Sequence, residues 1–151
     1  MFVNRRTVTI DWGDCDPAGI VFYPRYFAMF DVSTAALFGA ALSITKREIL
    51  KRYRIIGFPM VDVRAKFYVP SSFGDIVTIE SRVRRFGGSS VEIDHRLMRG
   101  DVLAAECQEK RVWAEQNPDE PDSIRGVSVP LEVRESLLQQ SENAGENHGL
   151  Y

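Results

Sequence analysis

The sequence predicts an α+β fold in which one antiparallel sheet wraps one long helix. Three observations lead there: an alternating opening segment, a long apolar run that begins with helix-start chemistry, and consecutive alternating segments separated by glycine turns. With 151 residues the chain is expected to form one domain over residues 1–140 and to bury roughly two thirds of its unfolded surface. Residues 141–151 are polar and glycine-bearing, the composition of a disordered tail.

Residues 2–10 alternate and are rich in Val, Thr and Ile, which predicts a strand. A helix follows over residues 24–41, with Pro24 in its first turn and apolar side chains on nearly every face. Thr45 and Glu48 form a capping box for a shorter helix ending near Tyr53. Strands are expected at 60–69, 76–86 and 89–99, the last two joined through Gly87-Gly88. In the first of these, Val61, Val63, Ala65 and Phe67 share a face. Gly100-Asp101 turns the chain into a long segment over 102–116, a short extended piece at 124–129 and a terminal helix over 131–140.

The stretch from Asp11 to Pro24 organises this pattern. Asp11, Asp14 and Asp16 bring three carboxylates into six residues, and Asp16-Pro17-Ala18-Gly19 fits a type I turn. Pro17 biases Asp16 toward an extended backbone, at the point where strand ends and turn begins. A carboxylate in this place is either a turn or capping residue, or the reactive group of a site at the helix N-terminus. Asp31 is the second anomaly, because a carboxylate inside an apolar helix is costly unless it is paired.

Composition narrows the possibilities. Nineteen basic and 21 acidic residues give a net charge of −2, so no global field recruits nucleic acid or an anionic membrane. The apolar run at 26–44 is interrupted by Asp31, which argues against a membrane span. Cys15 and Cys107 are far apart with no CxxC, which fits a reducing cytoplasm and argues against a thiolate metal site. His95 shares a strand face with Val91, Ile93 and Leu97, the pattern of a hydrogen-bonded core or interface histidine.

The segment GDCDPAGIVFYPRYF, from Gly13 to Phe27, resembles the active-site segment of the 4-hydroxybenzoyl-CoA thioesterase family. Weaker similarity runs from Thr7 to Pro130 and includes Gly57-x-Pro59 and the segment Arg125-Gly126-Val127-Ser128-Val129-Pro130. The resemblance implies a hotdog fold, a curved antiparallel sheet of about five strands around one long helix. It implies an acyl-CoA thioesterase acting on an aryl-CoA, first of all 4-hydroxybenzoyl-CoA, in which Asp16 attacks the thioester or activates water. A thioester has a good leaving group, so a carboxylate suffices without a Ser/His pair. The Tyr23 N–H, at the helix N-terminus, would stabilise the oxyanion, since Pro24 has no N–H to give.

In the same resemblance Asp31 receives a ring hydroxyl of the substrate and Pro59 lines its site, while Ser90, Arg125 and Arg85 hold the nucleotide. Gly87-Gly88-Ser89 departs from the basic run a relative carries at this hairpin. No metal or cofactor is implied, coenzyme A being part of the substrate. A homo-oligomer, dimer or tetramer, is expected, because one sheet of this size leaves a face and edges to cover. The alternatives are a thioesterase for short aliphatic acyl-CoAs with a structural Asp31, a non-catalytic acyl-CoA or acyl-carrier binding module, and a dehydratase. The last is disfavoured because no histidine stands beside Asp16 in the loop.

Overall fold

Alternation, capping and turn chemistry produce the elements the sequence announces. The computed structural model describes residues 1–139. Strand β1 (Val3–Thr9) leads through a 3-10 turn (Trp12–Asp14) to helix α1 (Tyr23–Leu42), then to α2 (Lys46–Tyr53). Four strands follow: β2 (Met60–Phe67), β3 (Ile76–Phe86), β4 (Ser90–Arg99) and β5 (Val102–Val112). A short pair, β6 (Ala114–Gln116) and β7 (Ile124–Gly126), precedes helix α3 (Leu131–Leu138).

The five long strands form one antiparallel sheet in the order β1-β3-β4-β5-β2. Its inner face closes on α1, which is the hotdog arrangement. Thr45 caps α2 as expected: its hydroxyl accepts from the Glu48 N–H at 3.2 Å while Glu48 accepts from the Thr45 N–H at 2.7 Å. The β3–β4 turn closes with the Gly87 N–H on the Ser90 carbonyl at 2.8 Å. Gly100 turns β4 into β5 at φ +59°, a conformation that suits glycine.

Two expectations are refined. The long segment over 102–116 does not stay in one sheet: it divides at Trp113, whose side chain is buried, and β6 leaves to pair with β7. The apolar face of β2 is only partly covered by its own chain: Ala65 packs on the core and Phe67 meets the Tyr26 and Phe27 rings, while Val61, Val63 and Phe67 remain 56%, 37% and 46% exposed. An end of the last helix at Gln140, and the tail expected over 141–151, lie outside the described residues.

The core has two apolar clusters. Tyr26, Met29, Phe30, Val77, Ile79 and Leu97 pack under the N-terminal half of α1, and Leu37, Phe38, Val83, Val91 and Trp113 under its C-terminal half. A polar layer of Thr34, Ser81, His95 and Glu109, all buried, lies among them. Among the described residues no single helix is long and apolar enough to cross a membrane.

Candidate active site

Asp16 sits at the corner of a small folded loop. The Gly19 N–H donates to the Asp16 carbonyl at 2.9 Å, closing the turn, and Gly19 adopts φ +80°. The Ala18 N–H donates to Asp16 Oδ1 at 2.8 Å. Asp16 is half-buried, and Oδ2 has no protein partner among the described residues. Asp14 serves the loop itself, since its carboxylate accepts from the Asp11 N–H at 2.9 Å and braces the 3-10 turn.

The loop is pinned to the start of α1, with the Phe22 N–H donating to the Asp14 carbonyl at 2.8 Å. No side chain caps that helix. Pro24 has no N–H, and the Arg25 N–H already donates to Phe22 O at 2.8 Å. The Tyr23 N–H has no acceptor among the described residues, so the positive end of a 20-residue helix presents one unused donor.

Asp31 lies two turns further along α1 with its side chain 55% exposed and Oδ1 2.9 Å from Arg111 Nη2. The Arg111 guanidinium also donates to the Phe58 carbonyl at 3.1 Å, which draws Asp31 and the segment holding Pro59 together. Behind Arg111 stands Glu109, bound through Nε at 2.7 Å and Nη2 at 3.1 Å. Burial opposes ionisation of Glu109, yet contacts from His95 and Arg111 prevail and hold its carboxyl at about 2.

Thr34 donates its hydroxyl to Glu109 at 2.7 Å and contacts His95 Nε2 at 3.2 Å. His95 Nδ1 is 2.7 Å from Ser81 Oγ, and the ring stacks on Phe30. His95 is thus a hydrogen-bonded core residue. Arg111 and Glu109 escaped the sequence reading, although a signal existed: with Cys107 they occupy every second position on the buried face of β5.

The remaining residues gather at the other end of α1. Gly126 packs against Ser89 so closely that a Cβ would meet its Oγ at 2.8 Å, which seats β7 over the β3–β4 turn next to Ser90. Arg125 pairs with Glu115 at 2.7 Å, and Arg85 with Glu92 at 2.6 Å. A bulge between Val83 and Arg85 lets Arg84 reach Glu92 as well, at 2.9 Å. Arg85, followed by Arg84, holds the Glu92 carboxyl below the usual range. A helix of this length spans about 30 Å, so one chain does not bring Asp16 and Tyr23 together with Ser90 and Arg125.

Residues 10–137 match the thioesterase-like superfamily. A 4-hydroxybenzoyl-CoA thioesterase from Pseudomonas sp. strain CBS-3 is 31% identical over 131 residues, covering 83% of this chain and 91% of the relative.

The chain belongs to the thioesterase-like superfamily.

As a member of that superfamily it is a thioester hydrolase. The solved structure of the Pseudomonas enzyme superposes with a TM-score of 0.80 at 29% identity, covering 89% of this chain and 98% of that one. A variant 4-hydroxybenzoyl-CoA thioesterase in complex with 4-hydroxybenzoyl-CoA gives 0.82 at 27% identity, with the same coverage of 89% and 98%. A gentisyl-coenzyme A thioesterase gives 0.75 at 26% identity over 90% of this chain and 100% of its own. The acyl-CoA thioesterase YbgC of Haemophilus influenzae is 21% identical over 84% of this chain and 88% of the relative. Thioesterases therefore occur on this fold in each of the named solved structures.

Proposed function

We propose that this thioesterase hydrolyses an aryl-CoA, with 4-hydroxybenzoyl-CoA the leading substrate, to the free acid and coenzyme A. One observation carries the reading. Asp16, tied by one oxygen and open at the other, stands in the loop that ends at a helix whose first N–H is unused, in a chain 31% identical to a 4-hydroxybenzoyl-CoA thioesterase. Asp16 acts as nucleophile or general base, and the Tyr23 N–H receives the oxyanion. Attack by Asp16 would form an acyl anhydride and expel the CoA thiolate before water releases the acid. Direct attack by an activated water gives the same products.

Asp31 accepts the ring hydroxyl beside Pro59, and Ser90, Arg125 and Arg85 hold the nucleotide, with no cofactor beyond the substrate's own coenzyme A. The distance along α1 between these groups supports a site completed by a second copy of the chain. The free edge and exposed apolar face of β2 support a homodimer, or a dimer of dimers. Two free cysteines fit work in the reducing cytoplasm.

The Asp31–Arg111 ion pair also suits a second reading, in which Asp31 is structural and the substrate is a short aliphatic acyl-CoA. Thiol release from 4-hydroxybenzoyl-CoA, benzoyl-CoA and butyryl-CoA separates the two. The first should lead; equal rates would remove the aryl assignment. Asp16→Ala should lower kcat by about 10²–10⁴-fold. Labelled oxygen from solvent water entering Asp16 in a single turnover would identify the covalent route.

A further inference from the structure

Arg111 is an unusual partner for a residue as open as Asp31. Its side chain is 6% exposed, and four of the five N–H donors of a guanidinium are accounted for. Two go to Glu109, one to the Phe58 carbonyl and one to Asp31 Oδ1. Glu109 is wholly buried and is itself fixed by Thr34, with His95 Nε2 3.4 Å away. Thr34 has a single hydroxyl hydrogen, given to Glu109, so His95 Nε2 must be the donor in its contact with Thr34. The guanidinium is therefore held in one plane from β5 inward, and Asp31 is the only part of the chain of contacts that reaches the surface.

Charge balance sharpens the point. Glu109 already neutralises Arg111 inside the core, so Arg111 does not need Asp31 as its counter-ion. What the contact fixes is the Asp31 carboxylate: Oδ1 is tied down, and Oδ2 has no protein partner among the described residues. Ala28, one helical turn before Asp31, is small and exposed, so no bulky side chain stands at that neighbouring position of the helix face.

We infer that Arg111 is the positioning residue of the acyl subsite: braced by Glu109, it holds Asp31 with one oxygen turned outward to accept a ring hydroxyl. Selectivity for hydroxylated over unsubstituted aryl-CoA then depends on a residue that does not touch the substrate. The inference rests on the proposed role of Asp31 and goes beyond it by naming what orients that carboxylate.

The readout is the ratio of kcat/KM for 4-hydroxybenzoyl-CoA to that for benzoyl-CoA. Asp31→Ala gives the ratio expected when the acceptor is lost. Removing Arg111 alone would strand Glu109, so the main variant replaces both charges, Arg111→Met with Glu109→Met. Its ratio should fall about 10-fold or more toward that of Asp31→Ala, as for a lost hydrogen bond to a charged group. Adding Asp31→Ala to it should change the ratio no further.

Arg111→Lys, which keeps the charge but cannot hold Glu109 and Asp31 in one plane, should lower the ratio in the same direction. It decides the matter if the double variant does not fold. A folded variant with an unchanged ratio, or with both substrates reduced equally, overturns the positioning role while leaving the aryl-CoA reading intact. A wild-type ratio near one removes the aryl-hydroxyl reading, and this inference with it.

Discussion

Thr34 Oγ1 lies 2.7 Å from Glu109 Oε2 and joins the middle of α1 to β5 through one buried hydroxyl. The acceptor is an ionised carboxylate with no access to water. Thr34→Val should therefore cost about 1.5–3 kcal/mol, the range for a lost hydrogen bond to a charged group. Urea denaturation of the two proteins measures it. A difference below about 0.5 kcal/mol would mean that the hydroxyl contributes no net stability.

Glu109 gives stability a defined acid limb. Its carboxyl titrates at about 2 in the fold against 4.5 when free. Above 4.5 both states are ionised and its full contribution is present. Between 4.5 and 2 the unfolded chain binds a proton that the folded chain refuses, so stability falls with pH by at most about 1.4 kcal/mol per unit. Glu109→Gln should flatten that limb in denaturant melts between about pH 6 and 2.5. Parallel curves for the two proteins would assign the acid sensitivity elsewhere.

The two cysteines should behave differently toward thiol reagents. Burial, followed by the nearby Glu109 charge, pushes the Cys107 thiol up to about 12, and the residue is 1% exposed. Cys15 is half-buried in the carboxylate loop. Native protein should react with Ellman's reagent at Cys15 alone and expose Cys107 only in denaturant. Fast reaction of Cys107 in native protein would show that the sheet opens beside His95, its cross-strand neighbour.

The edge of β2 predicts how assembly can be broken. Val63→Lys puts a charge at a position already 37% exposed in the single chain, so the fold should tolerate it. The proposed dimer should not, and light scattering should report a smaller species with little thioesterase activity. A variant that keeps both its mass and its activity would place the interface elsewhere.

Local chemistry made much of this molecule legible in advance. The Asp16 turn, the Thr45 capping box and the hairpin at Gly87 all depend on residues within a few positions of each other, and all formed as expected. The Asp31 anomaly was visible too, but its partner was not. Arg111 is distant in sequence, and only the packing of α1 against the sheet brings the two together. Likewise, alternation placed Val61, Val63 and Phe67 on one face of β2 without telling whether its own chain or another surface covers it. The exit of β6 from the main sheet depends on where Trp113 finds space, which is a property of the whole core.

The length of α1 has a kinetic consequence. It keeps Asp16 and the Tyr23 N–H at one end of the chain and Ser90 and Arg125 at the other, so the composite site proposed above exists only while two chains are associated. Turnover per chain would then fall on dilution as the complex dissociates, and return with second-order kinetics when chains are concentrated. Two inactive variants, Asp16→Ala and Arg125→Ala, would regain activity when mixed, because each hybrid pair assembles one intact site.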